Sequence, residues 1–495
     1  MRAAGILLHP TALPGRFAIG DLGPEAYRFV DWLKAAGQRL WQVLPLGPVD
    51  IGHGSPYAAR SSIAGNPLLI SPERLMADGL LLEQDLGGAR NGRGRVEFAR
   101  AAREKSGMLR AAFARLDEVS AMRARCDAFA RTNAGWLDDW ALFEALRQNE
   151  QTWWLDWPKP LMRHRRRARR DARHSLGEEL AFHRFVQFVF WDQWMRLRHY
   201  ANARGIRIVG DVPFYAALDS VDVWAHPGAF ALHWRTRRPR YVGGVPPDAF
   251  SQTGQRWGMP CYAWRRQRLT GFPWWLARFR ALASMVDVVR IDHFRGFAAY
   301  WRIPAEDRDA TRGTWTQAPG AALFGKLRRI LPTLEIWAED LGFVTPDVIA
   351  LRDRSGFAST RILLYAFDGG PDNPHRPRNH PENAVVYTGT HDNDTVVGWW
   401  SGLDDPGRAR VATIVQSSIG DFDDARPHES LCKLALSSRA RACVLPIQDV
   451  LGLDNTARFN LPGSTHGNWS WRLAPGALDD SNAARLAKHT LAARR

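Results

Sequence analysis

The sequence predicts an α/β protein built as a closed (β/α)8 TIM barrel, and three observations carry that prediction. Short apolar, β-branched runs recur along the chain, helix-period segments separate most of them, and four of the runs carry an acid toward the carboxyl end. Near-continuous apolar strands that alternate with amphipathic helices require a parallel sheet covered on both faces. An open doubly wound sheet is the alternative, but no GxGxxG follows the first strand.

The strand candidates are, in order, GILLHP from residue 5, LWQVLPL from 40, IRIVGDVP from 206, VVRIDHF from 288, EIWAEDLG from 335, RILLYAF from 361, AVVYTGTHD from 384 and ACVLPIQDVL from 442. GPEAYRFVDWLKAAG at 23–37 follows the first, with proline just inside the helix start and glycine just past its end. The stretch 178–205 and FPWWLARFRALASMV at 272–286 have the same 3.6-residue period and lead into the third and fourth strands. Two gaps break the spacing. Residues 48–204 form a largely helical insertion between the second and third strands, and 214–286 form a second one, whose segment GGVPPDAFSQTGQRWG at 243–258 reads as a loop because it is rich in glycine and proline. Insertions after barrel strands sit over the catalytic face. The organisation is thus one catalytic domain over residues 1–495, with no C-terminal β-sandwich domain.

Composition limits the function. At 495 residues and 45% apolar the chain can build a large core. Its four cysteines have neither zinc nor disulfide-framework spacing, which implies a reducing, cytoplasmic setting. The N-terminal apolar run is too short for a signal peptide, and no run reaches membrane-spanning length. The net charge of +16 raises nucleic acid as a partner. However, its densest run, MRHRRRARRDARH at 162–174, carries no interleaved aromatics and reads as a solvated helix face. Weak, salt-sensitive and sequence-independent binding is expected there, with no specific nucleic acid. The 22 tryptophans suit sugar stacking as well as core packing.

Four acids, Asp211, Asp292, Glu339 and Asp392, end their strand candidates and should converge on one barrel mouth. Arg290 lies two residues before Asp292, so both side chains leave the strand on the same face and the cation should keep that carboxylate ionised. An ordinary buried Arg–Asp pair is the alternative for this strand taken alone. Two carboxyl groups across a sugar are what glycosidic-bond cleavage needs, one to protonate the leaving oxygen and one to attack or to activate water. Metal ligation is disfavoured, because Arg290, His293 and His391 stand among the acids.

Taken together, GDVPF at 210, VVRIDHFRGF at 288, AEDLG at 338 and YTGTHDNDT at 387 resemble the four sequence regions of the 4-α-glucanotransferases, the amylomaltase or disproportionating-enzyme family, glycoside hydrolase family 77. The likeness runs from about residue 5 to 472 and includes GSPYAARSSIAGNPLLI, VWAHPGAFAL and QDVLGLDNTARFNLPGSTHGNWSWR. The resemblance implies that Asp292 is the nucleophile, Glu339 the general acid and base, and Asp392 a third carboxylate holding sugar hydroxyls beside His391. It also implies substrate contacts from Ser55, Tyr57, Asp211, Trp257, Arg290, Asp368 and Asn468, with Tyr57 stacked at the cleavage point and Trp257 covering the acceptor side. No cofactor and no metal are expected, and the partners are maltooligosaccharides, α-1,4-glucans and glucose as acceptor. Two stretches depart from the family pattern: HWRTRRPRYV at 233–242, where a short Asp-Gly type turn is usual, and 361–383. A hydrolase using the same carboxylates is the runner-up, and a non-enzymatic glucan-binding or nucleic-acid-binding barrel would need one of the three acids to be missing.

Overall fold

A computed structural model describes residues 2–87, 94–248, 251–464 and 466–495. Its central sheet has eight parallel strands: β1 Ala3–Leu7, β2 Leu40–Gln42, β3 Arg207–Val212, β4 Val288–Ile291, β5 Glu335–Ala338, β6 Ser359–Ile362, β7 Ala384–Tyr387 and β8 Ala442–Pro446. Each lies within or overlaps one of the runs read from the sequence. The hydrogen-bonded order is β6, β7, β8, β1, β2, β3, β4, β5. Backbone bonds from Ala338 N to Ala358 O (2.8 Å) and from Ala358 N to Ile336 O (3.3 Å) join β5 to the residue before β6 and bring the ring to near closure. Arg290 apart, the β4 side chains Val288, Val289 and Ile291 are fully buried hydrophobics, as a strand covered on both faces requires.

The helix Pro24–Ala35 shows why the outer ring forms. Proline opens it, Ala26, Phe29, Val30 and Leu33 fall on one buried face at helical spacing, and Gly37 at φ 69° follows its end. Helices Gly177–Ala203, Pro273–Met285, Gly320–Ile330 and Pro346–Ser355 lead into β3, β4, β5 and β6 in the same way. The alternation lapses between β6 and β7, where the described chain forms only short 3-10 turns. In the insertion after β2, the long helix Ser120–Glu150 packs along Gly177–Ala203. Lys105, 1% exposed, anchors this insertion to the barrel: its Nζ donates to Asp21 Oδ2 (2.7 Å) and to the carbonyls of Leu68 (2.8 Å) and Ile70 (2.7 Å).

One sequence expectation needs correction. Within the stretch 243–258, read throughout as a loop, residues 243–245 and 255–258 belong to strands Tyr241–Val245 and Gln255–Pro260; with Ala299–Pro304 and Thr314–Gln317 these make a four-stranded antiparallel sheet beside the barrel mouth. Residues 249 and 250 of that stretch lie outside the described residues. Gly243 and Gly244 misled because they serve close packing and not a turn. A Cβ on Gly243 would lie 2.1 Å from the Tyr215 ring, and one on Gly244 would lie 2.1 Å from the Gln255 carbonyl oxygen.

Candidate active site

The register of β3, β4 and β5 sets the acids beside one another. Ile291 pairs with Val212 on one side and with Ala338 on the other. Asp292 and Glu339 are therefore the next residues on neighbouring strands. The ladder runs on to hold both, with Asp292 N donating to Val212 O (3.0 Å) and Glu339 N to Ile291 O (2.9 Å). Adjacent strands lie about 4.8 Å apart, so both carboxyl groups rise from the same short stretch of barrel rim.

Arg290, 3% exposed, organises the acid beside it. Its Nη1 lies 2.6 Å from Asp211 Oδ2 and 3.2 Å from Asp292 Oδ1. Tyr57, from the turn Pro56–Ala58, donates its hydroxyl to the same Asp211 oxygen at 2.8 Å. Asp211 is buried with Oδ1 unpartnered, and loss of water pushes its carboxyl up to about 6 against the pull of Arg290. The arginine is pushed further up by its two carboxylates, so the Asp211–Arg290 pair is charged at neutral pH.

Glu339 takes the opposite protonation state. Its Oε2 accepts the backbone N–H of His293 at 2.7 Å and its Oε1 that of Leu341 at 3.2 Å. The first of these bonds depends on the left-handed turn at His293, φ 50°. Glu339 keeps some surface exposed yet is closely surrounded by protein; that burial, with the charge of Asp292 beside it, pushes its carboxyl up to about 8. It is thus a proton donor at neutral pH. His293, pushed down to about 4 by burial, is neutral there.

On the opposite side of the mouth, the segment after β7 supplies His391 and Asp392. The His391 ring stacks on Tyr57 with centroids 5.1 Å apart, and its Nε2 lies 3.4 Å from Asp392 Oδ1. Asn460 Nδ2 donates to that same oxygen at 2.6 Å, and Trp469 packs 5.7 Å from Tyr57. Trp257 stands edge-on to His293 at 5.0 Å. Ser55, Tyr57, Trp257, Asp292, His391, Asp392 and Asn468 line one cleft of about 430 Å3. The Asn468 amide is itself engaged with the loop at Leu461 and Ser464. Asp368 stands apart: its side chain is 85% exposed, lies 3.6 Å from Arg410, and does not line this cleft.

Sequence reasoning missed Asn460, Trp469 and Tyr215 as cleft residues. Asn460 and Trp469 lie in a stretch already quoted for the resemblance and Tyr215 directly follows another, but their role follows from long-range packing that no local period reports. Among the described residues no three His, Cys, Asp or Glu side chains are placed to hold a metal ion, and no helix is long and apolar enough to cross a membrane.

The family model for 4-alpha-glucanotransferases, glycoside hydrolase family 77, matches residues 8–478. The chain belongs to this family. It is 45% identical to the 4-alpha-glucanotransferase of Thermus thermophilus over 98% of this chain and 97% of that one, and 44% identical to that of Synechocystis over 97% and 95%. The solved amylomaltase of Streptococcus agalactiae, in complex with acarbose, superposes with a TM-score of 0.95 at 33% identity and full coverage of both chains. The activity is therefore that of a 4-alpha-glucanotransferase, an enzyme that transfers α-1,4-glucan segments from one chain to another.

Proposed function

We propose that the transfer runs by double displacement, with Asp292 as nucleophile and Glu339 as acid and then base. The observation that carries this is the contrast in surroundings between two neighbouring carboxyls. Asp292 sits against the Arg290 guanidinium, whereas burial holds Glu339 protonated to about pH 8. In the first step Asp292 attacks the anomeric carbon and Glu339 gives its proton to the leaving oxygen. The covalent ester that forms has no charge on Asp292, which removes one of the influences raising Glu339 and lowers its proton affinity. Glu339 then takes the proton from the incoming hydroxyl as that oxygen displaces the ester.

Asp392, held by Asn460 and His391, would bind hydroxyls of the distorted sugar, and the stacked Tyr57 ring would support that sugar from below. Trp257 would cover the acceptor, favouring a sugar hydroxyl over water by proximity. Suitable partners are maltooligosaccharides and α-1,4-glucans as donors, and the same chains or glucose as acceptors. Four free, buried cysteines support a cytoplasmic setting, and α-1,4-glucan substrates fit a role in glycogen, starch or maltose metabolism. Pure maltotriose tests the reading. The expected products are glucose and a ladder of longer maltooligosaccharides with reducing ends nearly constant; a steady rise in reducing ends with only shorter sugars would make the enzyme a hydrolase.

A further inference from the structure

The arginine run and the unusual turn at 233–242 are remote in sequence and adjacent in space. Arg163 reaches across, its Nη2 donating to the Arg235 carbonyl at 3.2 Å. The turn itself is fixed: His233 N donates to Arg238 O, Arg237 N donates to His233 O, both at 2.9 Å, and Leu232 bridges Pro239. Arg237 sits there in the left-handed region, φ 61°. This rigid turn presents Trp234, 71% exposed, with the Arg235 guanidinium 4.7 Å from its ring centroid.

The charge around that indole is uncompensated. Within the helix Arg166–Ser175, Arg169 and Arg173 are paired with Asp139, and Arg167 and Arg170 share Asp171. Among the described residues, Arg163, Arg165, Arg166, Arg235, Arg237 and Arg238 have no acid within ion-pair distance. Burial pushes the Arg237 guanidinium down, and the nearby charges of Arg163 and Arg165 push it the same way. Six unneutralised guanidinium groups call for a polyanion with closely spaced charges. The exposed indole among them calls for a flat partner, which a nucleobase supplies and a phosphate chain does not.

We propose that the turn 233–238 and the adjoining end of the helix Arg166–Ser175 form a surface that binds single-stranded nucleic acid without sequence preference. The arginines take phosphates and Trp234 stacks on one base. The structure thus provides the aromatic that the arginine run lacks in sequence.

Fluorescence anisotropy of the full-length protein with a labelled oligouridylate, across a salt series, tests this. If all six arginines meet phosphates, log K falls against log salt with a slope of about −4, and Arg235→Gln/Arg237→Gln/Arg238→Gln makes the slope shallower by about 2. Arg165→Gln/Arg166→Gln, on the helix, should lower it independently. Trp234→Ala should weaken the oligouridylate at least about fivefold, the lower end of a one-base stacking contribution, and leave inorganic polyphosphate binding nearly unchanged. Glucan transfer by each variant should match the parent and serves as the check of folding. An unchanged slope in the triple variant overturns the proposal. So does a Trp234→Ala variant that loses neither ligand or loses both equally, or tighter binding of a phosphorylated α-glucan than of the oligouridylate.

Discussion

Tyr57→Phe removes a single oxygen from the buried support of the nucleophile and leaves the ring that stacks on His391. The Asp211 side chain is wholly buried, its Oδ1 has no donor, and its Oδ2 has two, Tyr57 at 2.8 Å and Arg290 at 2.6 Å. A hydrogen bond to a charged group contributes about 1.5–3 kcal/mol. At about 1.4 kcal/mol per pH unit, losing it moves the Asp211 titration, now near 6, upward by roughly one to two pH units. The acid limb of kcat/KM should move with it, because a neutral Asp211 no longer shares the charge of Arg290 that orients Asp292.

Stability should follow the same linkage. The Asp211 carboxyl is raised above its ordinary 3.8, so between about pH 4 and 6 the native state holds a proton that the unfolded chain has lost, and this residue's contribution grows less favourable as pH rises through that window. In Tyr57→Phe the window extends upward. The variant's deficit should be small at pH 5, where Asp211 is neutral in both proteins, and larger at pH 8. A per-residue unfolding entropy of about 2.1 cal/mol/K makes 1 kcal/mol worth roughly 1 °C in this 495-residue chain, so Tm at pH 8 should fall by about 1.5–3 °C. Matched thermal scans and pH–rate profiles with maltotriose decide the matter. An unchanged acid limb, or a deficit as large at pH 5 as at pH 8, refutes the reasoning.

Three further outcomes are expected. The alkaline limb of kcat/KM should fall near pH 8 as Glu339 loses its proton, and isotope-edited infrared titration should find Glu339 titrating lower in Asp292→Asn, since the neighbouring charge is gone. Asn460→Ala frees Asp392 Oδ1 from its 2.6 Å donor and should lower kcat/KM roughly 10- to 100-fold, as small displacements of reacting groups do, with Tm nearly unchanged. Lys105→Met strands the buried Asp21 carboxylate and should cost about 3–5 kcal/mol, read by thermal scanning, whereas Lys105→Met with Asp21→Asn recovers much of the loss.

The barrel was legible because its signal is local. Each strand is a short apolar run, and the three carboxylates stand at or just past strand ends, where residue type and position already point to one rim. The antiparallel sheet at 241–317 was not, because Gly243 and Gly244 have the composition of a loop and the packing role of a strand; only the Tyr215 ring and the Gln255 carbonyl explain them. Asn460 and Trp469 were hidden for a related reason. They reach the cleft from a segment after β8 whose path follows from tertiary contacts such as Asn460 N to His391 O (3.1 Å). The pairing of Arg163 with the turn at 235 is likewise invisible in a linear reading, since 72 residues separate them. Asp368 shows the converse: a motif position matched by resemblance, which the fold leaves exposed beside Arg410.

The central claim is that the sugar passes through a covalent bond to Asp292. Glu339→Gln cannot protonate a leaving sugar or activate an acceptor, but an α-maltosyl fluoride needs no protonation to react, so the intermediate should accumulate in this variant. Tryptic mass spectrometry reads it directly, because cleavage after Arg290 and Arg295 isolates Asp292 in the five-residue peptide 291–295. The account predicts a maltosyl adduct on that peptide, absent when Asp292→Asn is added. An adduct on the peptide carrying Asp392, or turnover of the fluoride with inverted products and no adduct, would contradict it.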